Sequence, residues 1–194
     1  MNIHDLLKFT DFTHKFQQIQ RTILVTGMNR NENDLEHTGQ LALISWYIVE
    51  ANQLNMDLDK IIKYALAHDL VEAYAGDTFA YSTNVDEKNS KLEREQLAFE
   101  KIKIEFPKFI ELHEIIEEYE SRENPEAKFI YSLDKLIPIL NVYLDEGKSW
   151  HRDNIGFQLL RKYKDTKIAE SQEVDFLWQE LLILLEQGKD KLFP

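Results

Sequence analysis

His68, Asp69 and Glu72 fall within five consecutive positions of the run Ala65-Leu66-Ala67-His68-Asp69-Leu70-Val71-Glu72-Ala73-Tyr74-Ala75-Gly76-Asp77-Thr78. On a helix successive residues are about 100° apart, so His68 and Asp69 project at nearly a right angle, as neighbouring ligands of an octahedral cation do. Glu72 overhangs the same region one turn on. A carboxylate in that position suits holding and deprotonating a water acidified by a cation. Three polar groups in an otherwise apolar helix are expensive to bury alone, and a divalent metal offsets that cost. With no cysteine in the chain, any metal must be held by His, Asp or Glu. A His-Asp pair by itself is equally well a surface or capping pair, but two further residues add weight. His37 lies in the first turn of another predicted helix, next to the apolar run from Leu41 to Val49. Asp134 sits inside Phe129-Ile130-Tyr131-Ser132-Leu133-Asp134-Lys135-Leu136-Ile137, where a buried carboxylate needs a metal or a cation. Lys135 or an arginine could be that cation, which leaves a plain salt bridge as the alternative.

Helices must position these groups. Six glycines and four prolines among 194 residues are less than half the usual combined share of about 12%, so breaks are few and helices long. The apolar spacing predicts an opening helix through Leu6, Phe9, Thr13, Phe16 and Ile19. Asn33 and Glu36 form the pattern of a capping box that starts a second helix. Asp57 reads as the N-cap of a third, running to Ala75 with Gly76 beyond its end. A fourth covers about Asp86 to Glu105 and stops before Pro107, a fifth carries Leu112, Ile115, Ile116 and Tyr119, and a sixth covers Ala127 to Asp145. Pro138 inside the sixth should kink it or remove one backbone bond. A last helix carries Val174, Leu177, Trp178, Leu181, Leu184 and Leu185. Ser82 to Asn89 and Glu146 to Phe157 read as weakly ordered. The expectation is an all-α bundle of six or seven helices forming a single domain over 1–194, with no internal repeat or linker.

The 35 acidic and 23 basic side chains leave a formal charge of −12, which disfavours long nucleic acids and anionic membranes as partners. Asp5, Lys8, Asp11, His14 and Lys15 interrupt the first twenty residues, so no signal peptide is read there. No apolar run approaches the roughly 20 residues that span a bilayer. The expected location is cytoplasmic. The acids Glu111, Glu114, Glu117, Glu118, Glu120, Glu123 and Glu126 surround an ordinary apolar stripe and read as solvated helix surface. His4, His14, His113 and His151 lack ligand spacing and read as ordinary histidines.

His37, His68-Asp69 and Asp134 together resemble the H...HD...D pattern of HD-domain metal-dependent phosphohydrolases, an all-helical superfamily. The chain is similar in particular to the YfbR-like 5'-deoxynucleotidase branch. Arg30-Asn31-Glu32-Asn33-Asp34-Leu35-Glu36-His37 resembles that branch's R-x-E-N-x-x-E-H, and His68-Asp69 with Glu72 and Asp77 resembles its H-D-x-x-E-x-x-x-x-D. Ser171-Gln172-Glu173-Val174-Asp175-Phe176 resembles its terminal S-Q-E-x-D-[YF] stretch. The resemblance implies that His37, His68, Asp69 and Asp134 hold one divalent cation. Two imidazoles and two carboxylates without sulfur suit several transition metals, and family members are associated with Co, Mn or Zn. It further implies hydrolysis of a nucleoside 5'-monophosphate, with Glu72 activating the attacking water and Asp77 near the sugar or leaving oxygen. Arg21 resembles the branch's phosphate-contacting arginine, one residue farther from His37 than the branch pattern has it, and Thr22 stands where the branch carries tryptophan. Arg30 is a second candidate for phosphate, with pairing to Glu36 as its structural alternative, and Lys135 could face pocket or surface. A homodimer is compatible with the resemblance. Two other functions remain open: hydrolysis of an alarmone-like pyrophosphate, whose enzymes carry a Glu-Asp pair where Glu72 is followed by Ala73, and a metal-binding helical regulator without turnover. For a protein of this charge, attraction of a small phosphate must be local, through the cation, Arg21 and help from Arg30 or Lys135.

Overall fold

The structure, a computed structural model, describes residues 2–81 and 84–194. Eight helices of ten residues or more carry the described residues: α1 (Ile3–Gln18), α2 (Asp34–Ala51), α3 (Leu58–Ala67), α5 (Val85–Glu105), α6 (Ile110–Ser121), α7 (Pro125–Leu144), α9 (Phe157–Ile168) and α10 (Gln172–Gln187). Short helices α4 (Glu72–Ala75), α8 (Lys148–Asp153) and α11 (Lys189–Leu192), and a hairpin of β1 (Gln20–Leu24) with β2 (Asn31–Asn33), complete the fold. No helix among the described residues is long and apolar enough to cross a membrane.

Helix α7 is the axis of the bundle. Its Phe129, Ile130, Leu133 and Ile137 are fully buried, and it packs against α2, α3, α6, α9 and α10. The helix runs on through Pro138 to Leu144. Because proline has no N–H, the carbonyl of Asp134, one turn earlier, has no helical donor. At the start of α2 the capping box forms in both directions: Glu36 N–H donates to Asn33 Oδ1 at 3.0 Å and Asn33 N–H donates to Glu36 Oε2 at 3.1 Å. That fixes the first turn, and with it the buried His37.

The structure holds eight long helices among the described residues against the six or seven expected, because α9 was not read from the sequence, and it departs from the expectation in three further places. The single helix expected from Leu58 to Ala75 is interrupted after Ala67. Leu70 N–H donates to Ala67 O at 3.1 Å, Glu72 N–H to Asp69 O at 2.9 Å and Ala73 N–H to Leu70 O at 3.2 Å, so the chain tightens from four-residue to three-residue hydrogen bonding. Apolar spacing alone does not distinguish the two windings over one turn. The expected end near Ala75 holds, with Gly76 at φ 75°.

The second departure is Glu146 to Phe157, which is ordered and load-carrying rather than loose. Trp150 is buried and stacks on Phe193 with centroids 4.5 Å apart and planes 11° from parallel. Of the other segment read as weak, 82 and 83 lie outside the described residues, and α5 begins at Val85. The third is the hairpin, which turns through Gly27 at φ 77° and is held by its neighbours. Leu24 N–H donates to Ser149 Oγ at 3.0 Å, Gly27 N–H donates to Asp145 Oδ1 at 3.1 Å, and Arg152 donates to the Thr22 carbonyl.

Gly147, at φ 79°, begins α8 where a Cβ would lie 2.1 Å from the Leu192 carbonyl oxygen. Gly147→Ala should therefore destabilise the fold by about 2–4 kcal/mol, from left-handed strain plus overpacking. Thermal denaturation checks this, with a melting temperature lower by about 5–15 °C expected and an unchanged one counting against the close approach.

Candidate active site

Four side chains from three separate parts of the bundle meet at one point. His37 comes from the first turn of α2, His68 and Asp69 from the tightened turn after α3, and Asp134 from the middle of α7. One ligand-type atom of each lies within 4.8 Å of the others. His37 Nε2 is 2.9 Å from Asp134 Oδ1, and His68 Nε2 is 2.9 Å from Asp69 Oδ2 and 3.7 Å from Asp134 Oδ1.

The donor set fits a divalent cation. His68 Nδ1 is 2.8 Å from the Ala65 carbonyl, which calls for a proton on Nδ1 and leaves the lone pair on Nε2. That Nε2 is buried without a hydrogen-bond partner and faces carboxylate oxygens, an arrangement that repels unless a proton or a cation lies between. In the metal-free protein the answer is a proton: burial opposes it, but the carboxylates of Asp69 and Asp134 outweigh burial and raise His68. His37 is pushed the other way, down to about 4, by burial and by Arg21, so it is neutral and available as a ligand. Its Nδ1 lies 3.6 Å from Glu32 Oε2, which is placed to accept the Nδ1 proton when Nε2 turns to a cation.

The surrounding electrostatics are set by crowded carboxyl groups. Burial, then Asp69, Asp77 and Asp34, raise Glu72 well above the usual carboxylate range. Burial and Asp69 push Asp34 up to about 7, and burial pushes Glu32 up to about 7 against the pull of Arg21. Burial likewise raises Asp77. Arg21 is the principal counter-charge: its Nη1 lies 2.9 Å from Asp69 Oδ2 and 3.3 Å from Asp34 Oδ1, and its Nε lies 3.5 Å from Glu32 Oε2. Lys135 donates to Asp134 Oδ2. Burial resists ionisation of Asp134, but the Lys135 ammonium and the His37 hydrogen bond hold its carboxyl well below its ordinary range.

Beside this cluster opens a cavity of about 390 Å³, lined among others by Arg21, Asp69, Glu72, Asp77, Asp134 and Lys135. The candidates read from sequence are thus brought together, except Arg30. Its guanidinium forks onto Glu36, at 2.8 Å to Oε2, and is half exposed and away from the cavity lining. The structure takes the alternative in which Arg30 secures the entry to α2. The acidic stretch around α6 pairs with lysines, Glu118 to Lys60 at 2.8 Å and Glu117 to Lys103 at 2.8 Å, in keeping with solvated surface.

Sequence reasoning passed over several residues, some beside the cluster and some on the cavity wall. Glu32 and Asp34 stood inside the quoted motif but were given no role, although acids directly preceding a capped apolar helix signal either burial or a cation. Lys91, Tyr163, Lys164 and Lys167 line the cavity. The last three come from α9, which was not read as a helix although Leu160, Lys164 and Ile168 share one buried face.

Residues 13–175 match the HD-domain family. The 5'-deoxynucleotidase HDDC2 of Homo sapiens is 32% identical over 138 residues, which are 70% of this chain and 65% of the human protein. The 5'-deoxynucleotidase HDDC2 of Mus musculus is 32% identical over 70% of this chain and 67% of the mouse protein. The match thus spans about two thirds of the length of these relatives. Among solved structures, one described as a predicted metal-dependent phosphohydrolase from Magnetospirillum magnetotacticum MS-1 superposes with a TM-score of 0.81 at 27% identity, covering 98% of this chain and 96% of that one. An HD-domain phosphohydrolase from Listeria innocua shares the fold at a TM-score of 0.68 and 15% identity, over 96% of this chain and 92% of that one. The larger part of α1 and the chain beyond the first turn of α10 fall outside the family match, and this chain belongs to the HD-domain family.

Proposed function

We propose that the protein is a metal-dependent phosphomonoester hydrolase of the 5'-deoxynucleotidase type, acting on nucleoside 5'-monophosphates. The observation that carries this reading is that His37, His68, Asp69 and Asp134 converge on one point, and that Asp69 and Asp134 line the same cavity as Arg21 and Glu72. His37, His68, Asp69 and Asp134 would hold the cation; the donor set suits several transition metals, and the family resemblance favours Co, Mn or Zn. When bound, such a cation neutralises phosphoryl charge and makes nearby water more acidic.

The chain's own residues supply the rest. Arg21, held by β1 and the acids around it, presents its guanidinium to the oxygens of the phosphate, where negative charge is spread during transfer. Lys135 adds a second positive charge from α7. Glu72, on the segment that bears His68 and Asp69, takes a proton from the attacking water. Burial among carboxylates makes Glu72 a stronger proton acceptor than an exposed glutamate, and this suits a general base. Asp77 lies on the same cavity wall and binds a sugar hydroxyl or returns a proton to the leaving oxygen. Thr22, Ile23, Phe79 and Tyr81 furnish a less polar wall for the nucleoside.

Phosphate release from a panel of ribo- and deoxyribonucleoside monophosphates, run separately with Mn, Co and Zn, tests the reaction. Release from 5'-monophosphates is expected, and silence across the panel with metal stoichiometrically bound would favour a regulator without turnover. Asp69→Ala and Asp134→Ala should each lose bound metal by elemental analysis; full retention in both variants contradicts the ligand set. Glu72→Gln should keep the metal and lower kcat by about 10²–10⁴-fold, and near-normal turnover would mean that another group takes the proton.

A further inference from the structure

Two lysines on α9 are left over from this accounting. Lys164 and Lys167 lie one turn apart and both line the cavity. Lys164 is only 7% exposed. Neither ammonium has an acid or hydrogen-bond partner among the described residues, whereas every other cation on the lining does. Arg21 spans Asp34 and Asp69, Lys135 holds Asp134, and Lys91 reaches Glu95 at 3.2 Å. A buried, unpaired ammonium is costly. Burial, Lys135 and Lys167 accordingly push Lys164 down to about 7, and burial also lowers Lys167.

Lys164 stands where the cavity continues away from the reacting end. It lines the main cavity, within electrostatic reach of Lys135 and Asp134, and also an adjoining recess with Thr22, Ile23, Phe79, Tyr81 and Leu160, where none of Asp69, Glu72 or Asp134 reaches and where the one acid, Asp153, is paired with Arg152. The charges divide the same way. A divalent cation engaging Asp69 and Asp134 would compete with Arg21 and Lys135 for those carboxylates and leave the two positive charges to one phosphate, with Arg21 still braced by Asp34. Lys164 and Lys167 then remain for a second anion at the nucleoside end.

We propose that Lys164 and Lys167 form a second anion subsite, which takes a phosphate carried on the far side of the sugar, so that a nucleoside 3',5'-bisphosphate binds in preference to a simple 5'-monophosphate. This rests on the nucleotidase reading for the placement of the 5'-phosphate, and the cleaved bond remains the 5'-phosphomonoester, with water supplying the new oxygen on phosphorus and the 3'-phosphate a spectator.

Titration calorimetry on Mn-loaded protein tests the subsite, with deoxyadenosine 5'-monophosphate and deoxyadenosine 3',5'-bisphosphate as probes and Glu72→Gln as the parent to suppress turnover. The bisphosphate should bind about tenfold more tightly or better in the parent, the difference should shrink to about twofold on adding Lys164→Met, and Lys164→Arg should restore it, as a charge-assisted contact requires. Lys164→Met replaces an unpaired buried charge with an apolar chain of similar length, so its melting temperature should not fall. Equal binding of the two nucleotides in the parent overturns the proposal. So does parallel loss of both in Lys164→Met, since the lysine would then serve the scissile phosphate. Phosphate release by the wild type is the separate arm: no release from either nucleotide, with the binding preference intact, would remove the hydrolase reading and leave the subsite standing.

Discussion

Like charges brought out of water repel strongly, and this protein gathers six carboxyl groups around one small space. Glu32, Asp34, Asp69, Glu72, Asp77 and Asp134 influence one another's ionisation, and at physiological pH the cluster is tolerable only because cations are built into it. Arg21 and Lys135 do part of that work, and Asp69 and Asp134 draw a proton toward His68 against the effect of burial. The remaining imbalance suits the cluster to a divalent ion, which would turn repulsion between its oxygens into attraction. Elements far from the cavity can be understood as what holds those oxygens together against their mutual repulsion.

The scaffold meets that demand with rigid supports on each side. The capping box sets the orientation of His37, the buried face of α7 fixes Asp134, and the hairpin brings Arg21 over both. The hairpin is too small to be stable alone, and its stability is borrowed from α7 and α8 through Ser149, Asp145 and Arg152. The Trp150–Phe193 stack then connects α8 to the end of the described chain. Placement of Arg21 thus depends on residues more than a hundred positions later in sequence, which no local pattern around it records.

Much of the site was legible in the sequence because its parts carry strong local signals. His68-Asp69 in an apolar helix, Asn33 with Glu36, and Asp134 among apolar residues each conflict with simple burial unless they have a partner, and the structure supplies one in each case. The helical class was legible from scarce glycine and proline. What escaped was non-local or ambiguous over short spans. The hairpin's five-residue strand is shorter than any periodicity test resolves, although Thr22-Ile23-Leu24-Val25 followed by Thr26-Gly27 carries a strand-and-turn composition. Helix α9 was hidden because charged residues break up its apolar spacing between Leu160 and Ile168, and Lys164, on the buried face, looks in sequence like any exposed lysine. Arg30 shows the reverse: a motif position near the ligands by number, turned outward by its pairing with Glu36.

The tightened turn between α3 and α4 has a consequence for how the site tolerates motion. His68, Asp69, Glu72 and Asp77 all ride on ten consecutive residues, so a small displacement of that segment carries them as a unit. Distances among them are governed by short-range backbone bonds. Their distances to His37, Asp134 and Arg21 are governed by packing between separate helices and the hairpin. Thermal loosening or a distant core mutation would therefore disturb the spacing of His68 and Asp69 from His37, Asp134 and Arg21 before it disturbed the relation of Glu72 to His68 and Asp69. With the roles proposed for these residues, the failure mode built into this architecture is loss of affinity first and loss of proton transfer second.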